Sequence, residues 1–263
     1  MFWQDDEQTK KVDVPDDVID LVFDIQCREL PVDHQCDLSA ALGAHLPDLG
    51  DDERLAVHSI HLAGSQNGWE RPDPKLGQRL ILSKRTKLTL RVPAERRAEV
   101  EQQLAGAELD ICGCALKIGK AKTKKLSSQG TLFSRYVVLE PGEDVDENAF
   151  MHRVVGDLSA RGIRVRKALS GKTTEIDGPD GPVQTRSLMI ADLRPDESVQ
   201  LQQQGIGPLR HMGCGIFIPH KGIDAVKKAE DDGAVIVRLY EAHGCRGQRT
   251  LNVAGLPVSR AIE

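Results

Sequence analysis

Several short stretches in the first half alternate apolar and polar residues, which is the spacing of a β-strand with one buried face. Two of them are IDLVFDIQ at residues 19–26 and KLTLRV at residues 87–92. A helix is predicted at residues 37–46 from its apolar spacing, and another after Pro93, which suits a first helical turn. The predicted strands are residues 19–26, residues 55–60, the segments 80–82 and 87–92 counted together, and residues 109–118, which would form a strand or a hairpin. The elements follow the order β, α, β, β, α, β of one ferredoxin-like unit.

The second half repeats this order of elements. The predicted strands are residues 132–139, 163–168, 187–191 and 216–218, and the predicted helices are residues 146–160 and 195–204. Pro195 opens PDESVQLQQQ as Pro93 opens the corresponding helix of the first half, and the turn DGPDGP closes a hairpin. The sequence therefore predicts an α+β protein of two tandem ferredoxin-like (βαββαβ) domains.

The glycine-rich segment GIGPLRHMGCGIFIPHK, at residues 205–221, contains four glycines before a short apolar run. Glycine allows the backbone to approach a partner closely, and bare amide groups can face phosphates. The apolar run IFI ends at Pro219 and resembles a short strand. We therefore expect a glycine-rich loop at residues 205–215 that leads into the last strand of the second domain.

Composition changes along the chain indicate the domain limits. The basic segment KAKTKKLSSQG lacks the apolar residues of a core and is typical of a linker. The predicted units are a polar tail at 1–17, a first domain at 18–119, this linker at 120–130, a second domain at 131–224, and a charged connection with a C-terminal hairpin at 225–263.

The distribution of charge is more informative than the net charge of -5 for the 263 residues. Lysine and arginine supply phosphate binding, so an acidic average argues against a nucleic-acid partner. Residues 79–91, 117–125 and 161–172, however, each contain five basic residues and no acidic one. Any one run is typical of a solvated strand face, but three beside a glycine-rich loop favour an electrostatic footprint for nucleic acid.

Other classes of protein fit the sequence less well. No stretch approaches the roughly 20 apolar residues that a membrane span needs, and the start MFWQDDEQTKK is too acidic for a signal peptide, which predicts a cytoplasmic protein. Six cysteines without paired ligand spacing predict reduced thiols and no metal site. Aromatic residues make up only 3% of the chain, which favours recognition by shape and backbone charge over base stacking.

Five segments together resemble one protein family. They are LVFDIQCRELPVDH, LILSKRTKLTLRVP, AGAELDICGCALKIG, SLMIADLRPDESVQLQQQGIG and MGCGIFIPHK. In this order they resemble the RAMP superfamily of CRISPR-associated RNA-binding proteins, and within it the repeat-processing endoribonuclease of type I systems. The resemblance covers roughly residues 18–221, which is most of the chain.

This resemblance implies tandem ferredoxin-like domains and a function in CRISPR RNA maturation. The protein would bind the repeat hairpin of the precursor transcript and cut it into guide RNAs without a metal or another cofactor. Attack by the ribose 2′-hydroxyl would leave a 2′,3′-cyclic phosphate and a 5′-hydroxyl. Other CRISPR-associated subunits of a surveillance complex are further expected partners. The alternative is a non-catalytic subunit that binds the guide RNA in such a complex.

Two histidines are the candidate catalytic residues. Cleavage without a metal needs a general base and a general acid, and histidine titrates near neutrality. The resemblance implies a catalytic histidine in or just after the first helix, which gives His45 and then His34. The alternatives are a packed His45 and a His34 that is hydrogen-bonded at the helix entrance. The acidic segment LPDLGDDERL beside them would repel a phosphate, which keeps the non-catalytic alternative open.

The RNA contacts are expected in the glycine-rich loop and the basic runs. Arg164 and Arg166 would share one face of a strand at residues 163–168. The expected phosphate or base contacts are Lys84, Arg85, Lys87, Arg164, Arg166, Gly205, Gly207, Arg210, His211, Gly213, Gly215 and Lys221.

The end of the chain carries a different resemblance. The segment VIVRLYEAHGCRGQRTLNV, which starts at Val235, resembles a β-segment near the C-terminus of α-mannosidases. A glycosidase would also need a pair of carboxylates in a sugar cleft, and no motif upstream places one. The segment would be either a fused fragment or an accidental similarity, and we expect an ordinary amphipathic hairpin with its turn at residues 243–247.

Overall fold

A computed structural model describes residues 14–61, 77–220, 223–228 and 235–239 of the chain. Its strands are β1 (Val18–Gln26), β2 (Glu29–Pro31), β3 (Ala56–Val57), β4 (Arg79–Ile81), β5 (Lys87–Pro93), β6 (Glu108–Ile111), β7 (Cys114–Lys125), β8 (Leu132–Val138), β9 (Lys167–Gly178), β10 (Gly181–Ala191), β11 (Ile218–Pro219), β12 (Ile223–Lys228) and β13 (Val235–Leu239). Its helices are α1 (Gln35–Gly43), α2 (Arg97–Leu104), α3 (Glu147–Ala160) and α4 (Pro195–Gln204). This is an α+β fold with antiparallel sheets, as the sequence predicts.

The first sheet has the strand order β3-β5-β1-β7-β6. Leu21 and Phe23 of β1 are fully buried, whereas Asp24 and Gln26 are exposed, so the apolar alternation in the sequence gives the sheet one core face. Helices α1 and α2 bring Leu38, Leu42, Val100 and Leu104 to the same core. β1 lies between β5 and β7 and pairs antiparallel with both.

The second sheet has the strand order β11-β8-β10-β9. Its core contains Phe150 and Val154 of α3, Leu201 of α4, and Phe217 just before β11. Asp146 caps α3, because its side chain accepts hydrogen bonds from the backbone N–H groups of the first turn. When the strands of each half are numbered in chain order, both sheets contain the arrangement fourth, first, third, second, with β6 added beside β7 in the first.

Most predicted elements are confirmed, but the basic linker is partly wrong. Residues 120–125 continue β7, where Val22 lies opposite Lys122 and Ile19 opposite Lys125. Their lysines are exposed, while Leu116 and Ile118 of the same strand are buried in the first core. The lysine-rich composition thus belongs to the exposed part of a paired strand, and the connection between the sheets is limited to residues 126–131.

Three other strand predictions need correction. The strand predicted at 55–60 is reduced to β3, because the chain then turns towards the glycine-rich loop, where a Cβ on Gly213 would meet Ser59. Arg164 and Arg166 do not share a strand face, since they precede β9 and Arg166 bends back to donate to the Asp192 carbonyl. Residues 225–228 of the predicted charged connection belong to β12, which pairs antiparallel with β13. The turn predicted at 243–247 lies outside the described residues.

A buried arginine joins the two halves. Nε and Nη2 of Arg91, on β5, donate to the two carboxylate oxygens of Asp20 at 2.8 and 3.1 Å. Nη1 of Arg91 donates to the carbonyl oxygens of Gln202, at 2.7 Å, and Phe217, at 3.0 Å. The residue is 0% exposed, so these partners compensate for the loss of water around its guanidinium. This junction fixes the end of α4 and the segment before β11 against the first sheet.

The same junction determines the ionisation of Asp20. Burial would raise the pKa of Asp20, but Arg91 and the nearby His58 outweigh burial and hold that pKa well below its usual range. Asp20 is therefore an anion at neutral pH, paired inside the protein.

Among the described residues, no helix has both the length and the apolar character needed to cross a bilayer.

Candidate functional site

A cleft of about 1120 Å³ opens where the glycine-rich loop meets the first half of the chain. One wall is the segment after α1, from Leu49 to Leu55, and the other walls are the C-terminal ends of α3 and α4 and the loop itself. The polar lining residues are Asp52, Glu53, Arg54, Asp157, Arg161, Gln200, Gln203, Gln204, Arg210 and His211. The cleft thus combines charged groups from both halves, as a site for a charged ligand would.

The loop glycines allow backbone segments to pass very close to one another. Gly205, Gly207, Gly213 and Gly215 all have positive φ. A Cβ on Gly215 would overlap the carbonyl oxygen of Ile206, and one on Gly213 would overlap the Ser59 hydroxyl. Only glycine fits these places without moving the backbone. The loop is therefore tightly folded and is packed against the chain after β3.

Most loop amide groups are already used inside the protein. The N–H of Gly215 donates to the Tyr136 carbonyl, that of Ile206 donates to the Gly215 carbonyl, and that of Cys214 donates to the Leu209 carbonyl. Gly207 differs, because it is exposed and a Cβ there would meet nothing within 4 Å. Gly207 is thus the loop glycine whose backbone is open to a ligand.

Arg210, an expected RNA contact, is buried in the wall of the cleft. Its Nη1 donates to the Glu53 carbonyl at 2.6 Å and its Nη2 to the Gln203 carbonyl at 2.9 Å. Burial lowers the pKa of Arg210 to about 10, so it still carries its charge at neutral pH. Its described contacts hold the segment after α1 to the end of α4, and its contact with RNA stays a prediction.

Arg161 is a lining residue that the sequence analysis did not single out. Its Nε donates to the Asp157 carbonyl at 3.2 Å and its Nη1 to the Gly205 carbonyl at 2.7 Å. No described residue accepts a hydrogen bond from Nη2, so one edge of the guanidinium remains available in the cleft. The basic run at 161–172 was the only signal for this residue, and it did not distinguish Arg161 from the others.

The acidic segment after α1 is partly neutralised. Asp48 accepts hydrogen bonds from Arg96, and Asp52 accepts hydrogen bonds from Nε and Nη2 of Arg54. The hydrogen bonds from Arg54 are the main reason that the pKa of Asp52 is lowered. Two of the acidic groups expected to repel a phosphate are therefore paired with arginine.

His34, one of the two catalytic candidates, is buried and hydrogen-bonded inside the protein. It is 1% exposed, and its Nε2 accepts a hydrogen bond of 3.1 Å from the N–H of Ile60. Its Nδ1 lies 3.0 Å from the Pro31 carbonyl and, with Nε2 as acceptor, carries the proton and donates. Both ring nitrogens therefore have protein partners, as in the hydrogen-bonded alternative for this residue.

The other histidines differ in their surroundings. His45 is half-buried just after α1, and His211 is half-buried and lines the cleft. His58 has its Nε2 3.5 Å from Asp20 in the junction between the halves. Burial lowers the pKa of both His58 and His211.

The remaining predicted contacts are spread over the surface. Lys84 and Arg85 are exposed on the turn between β4 and β5, and Arg164 is exposed after α3. Lys87 pairs with Asp24 at 2.6 Å, and Arg166 pairs with Glu197 at 2.7 Å. Lys221 lies outside the described residues. In the described part of the chain, no group of His, Cys, Asp and Glu could hold a metal ion.

Comparison with known protein families gives matches over residues 19–263. The family model described as Cas6 Crispr matches residues 19–222. The model of the C-terminal β-sandwich domain of glycosyl hydrolases family 38 matches residues 221–263, the region of the mannosidase resemblance. A curated relative from Myxococcus xanthus, the CRISPR-associated endonuclease Cas6, is 32% identical over 202 residues, which is 76% of this chain and 81% of the relative.

Two solved structures are similar in fold. The product of a Cas6-related gene from Pyrococcus furiosus has a TM-score of 0.53 at 13% identity, over 76% of this chain and 97% of that one. A RAMP protein described as binding different RNA substrates has a TM-score of 0.51 at 12% identity, over 76% and 98%. With the family match and the curated relative, these findings show that the chain belongs to the Cas6 family.

Proposed function

We propose that this protein is an endoribonuclease of CRISPR RNA maturation, which binds the repeat hairpin of the precursor transcript and cuts it into guide RNAs. The observation that carries the proposal is the match to a curated Cas6 endonuclease at 32% identity over most of both chains. The cleft beside the glycine-rich loop is the proposed active site, because it brings cationic and titratable groups from both halves together.

The proposed architecture is two tandem ferredoxin-like domains. Its support is the strand order, since β3-β5-β1-β7 in the first sheet and β9-β10-β8-β11 in the second both follow the arrangement second, third, first, fourth. The first domain then extends to the end of β7 at Lys125, the second begins near β8, and the C-terminal hairpin is separate from both sheets.

The proposed reaction uses the RNA as its own nucleophile. The 2′-oxygen attacks the adjacent phosphorus, the bond from phosphorus to the 5′-oxygen breaks, and a 2′,3′-cyclic phosphate and a 5′-hydroxyl form. One protein group takes the 2′-hydroxyl proton and another supplies a proton to the 5′-oxygen, so no metal or cofactor is required. His45 does not itself line the cleft, but it lies four residues before the cleft wall that begins at Leu49, and it remains a proposed catalytic group. The buried contacts of His34 argue instead for a structural role.

The proposed RNA path runs over exposed cations towards the cleft. Lys84, Arg85 and Arg164 are exposed, and Gly207 presents its backbone at the loop tip. Lys87 and Arg166 are engaged by carboxylates, so an RNA phosphate would have to compete for them. Contacts of this kind position the RNA through its phosphate backbone, whereas contacts with base edges would determine which sequence is bound.

A cleavage assay in EDTA tests this function. Purified protein is mixed with its cognate repeat RNA, and in parallel with the same RNA carrying one 2′-deoxy nucleotide at the scissile position. We expect the first to be cut and the second to be bound but not cut. Tight binding of both without cleavage would support the non-catalytic subunit instead, and cleavage of the deoxy substrate would exclude the 2′-hydroxyl mechanism.

Variants of the two helix-proximal histidines extend the assay. His45→Ala should slow cleavage by about 100-fold to 10,000-fold if His45 supplies or accepts a proton. His34→Gln should mainly lower thermal stability, because Ile60 N–H and the Pro31 carbonyl lose their partner. An unchanged rate for His45→Ala would remove His45 from the mechanism.

A further inference from the structure

His211 lies at the cleft on a short turn whose backbone is held on both sides. It lies in a 3-10 helix, Arg210–Met212, between Leu209 and Gly213, which both have left-handed backbone. On its two sides, Arg210 is tied to the Glu53 and Gln203 carbonyls, and Met212 is 3% exposed. The backbone of His211 is therefore fixed by both neighbours.

The imidazole itself is not used by the protein. His211 is half-buried in the lining of the cleft, and no described residue forms a hydrogen bond with its ring. The other histidines near the glycine-rich loop differ, since His34 has partners at both nitrogens and His58 lies beside Asp20. Among the described residues, His211 is the one histidine that lines the cleft.

The charged groups that line the cleft together with this ring come from three parts of the chain. The segment after α1 contributes Asp52, Glu53 and Arg54, the end of α3 contributes Asp157 and the following Arg161, and Arg210 precedes His211 on its own turn. The part of α4 in the lining contributes only neutral glutamines. Asp52 is paired with Arg54, and Arg161 keeps one edge of its guanidinium open, so a phosphate bound there would lie beside a cation.

We propose that His211 is a catalytic residue of RNA cleavage and acts as the general base that takes the 2′-hydroxyl proton. The inference rests on the proposed endoribonuclease function and assigns one of its two proton-transfer steps. The 2′-oxygen forms its bond to phosphorus as its proton passes to the ring, and the 5′-oxygen leaves with a proton from another group. Since burial lowers the pKa of His211, the neutral ring that this step needs is present at neutral pH.

Single-turnover cleavage of the repeat RNA tests the assignment with His211→Gln. The control is His152→Gln, an exposed histidine of α3 that does not line the cleft. We expect His211→Gln to cleave about 100-fold to 10,000-fold more slowly, with unchanged affinity for the 2′-deoxy repeat. The acidic limb of the wild-type rate against pH should lie below the usual histidine pKa and be absent in the variant. Equal rates for His211→Gln and wild type would overturn the proposal.

Two further measurements distinguish a base from other roles. A substrate with a 5′-thio leaving group needs no general acid, so it should not restore cleavage in His211→Gln; restoration would assign the ring to the acid step and overturn the base role. In His211→Ala, added imidazole should recover part of the rate. A loss of rate matched by an equal loss of affinity would make His211 a binding residue. No cleavage by the wild-type protein would contradict the proposed function itself.

Discussion

After their second helices, the two halves return to their sheets in different ways. The first half uses a tight hairpin between β6 and β7, and β7 is 12 residues long and pairs along most of β1. The second half uses the glycine-rich loop and then β11, which has 2 residues and pairs with β8 only at Ile218 and Pro219. One half is thus closed by regular strand pairing, and the other is closed mainly by contacts with its neighbour.

This difference explains why the candidate site lies beside the glycine-rich loop. A long paired strand satisfies its own backbone groups and leaves no opening. The loop, by contrast, is held by Arg210, Arg161 and the Tyr136 carbonyl, and it leaves a cleft against the segment after α1. The site occurs where strand pairing stops and side chains from the two halves replace it.

Breaking the arginine junction should have the largest effect. Arg91→Met removes the donor to the Phe217 and Gln202 carbonyls and leaves Asp20 buried without its cation. Removing one partner of a buried ion pair typically costs about 3–5 kcal/mol of stability, which we expect in urea unfolding. The control is Lys87→Met, on the same strand as Arg91. It breaks the exposed pair with Asp24 and should change stability much less. If the two variants lost the same stability, the Arg91 junction would contribute no more than an exposed ion pair and could not be what holds the short β11.

Substituting matched glycines should sharpen the contrast between the two closures. Gly113→Ala, in the turn of the first-half hairpin, has positive φ but open space around the new methyl group, so we expect a cost of about 1–2 kcal/mol from the backbone alone. Gly215→Ala adds an overlap with the Ile206 carbonyl, and overpacking costs about 1–3 kcal/mol more. Thermal unfolding measures both. Cleavage should be lost in Gly215→Ala and retained in Gly113→Ala; the reverse pattern would separate the loop from the site.

A smaller effect on stability is expected from Glu197, in the first turn of α4. Hydrogen bonds from Arg166 lower the pKa of Glu197 to about 2, so its contribution to stability is present above the unfolded pKa of about 4.3 and is lost as pH falls towards 2. Glu197→Gln should therefore destabilise the protein at pH 7, by an amount that shrinks during acid titration followed by circular dichroism.

The matched control for this titration is Glu101→Gln on α2. Its pair with Arg97 is an exposed i,i+4 contact, which contributes little to stability. A difference between Glu197→Gln and wild type that stays constant down to pH 2 would contradict the role of the Glu197 carboxylate.

The helices and strands that are determined by residues close together in the sequence could be predicted from it. The alternation in residues 19–26 gives β1, and Pro195 begins α4 as its fixed φ favours. The composition of the lysine run predicts a linker, whereas the run pairs with β1, because that pairing is a long-range contact that composition does not express. Local pattern thus predicts a strand more reliably than it predicts what the strand pairs with.

The candidate site was only partly predictable for the same reason. The glycine-rich loop was recognised from its composition, but its partner segment, residues 49–55, is far away in the sequence. Nothing local distinguishes the enclosed ring nitrogens of His34 from the open ring of His211, or shows that Arg91 donates to the Phe217 carbonyl. These differences depend on contacts between residues far apart in the sequence, such as Ile60 with His34 and Phe217 with Arg91.

The packing of Gly213 on Ser59 and of Arg210 on the Glu53 carbonyl has a consequence for modular evolution. Although the two halves share a strand arrangement, the second does not contain all the surfaces that shape its own loop. A chimera that joined this second half to the first half of a distant relative would keep the sheet and lose the loop conformation. We therefore expect changes in the segments at 49–55 and 205–215 to be inherited together, because the two halves of the chain shape one cleft between them.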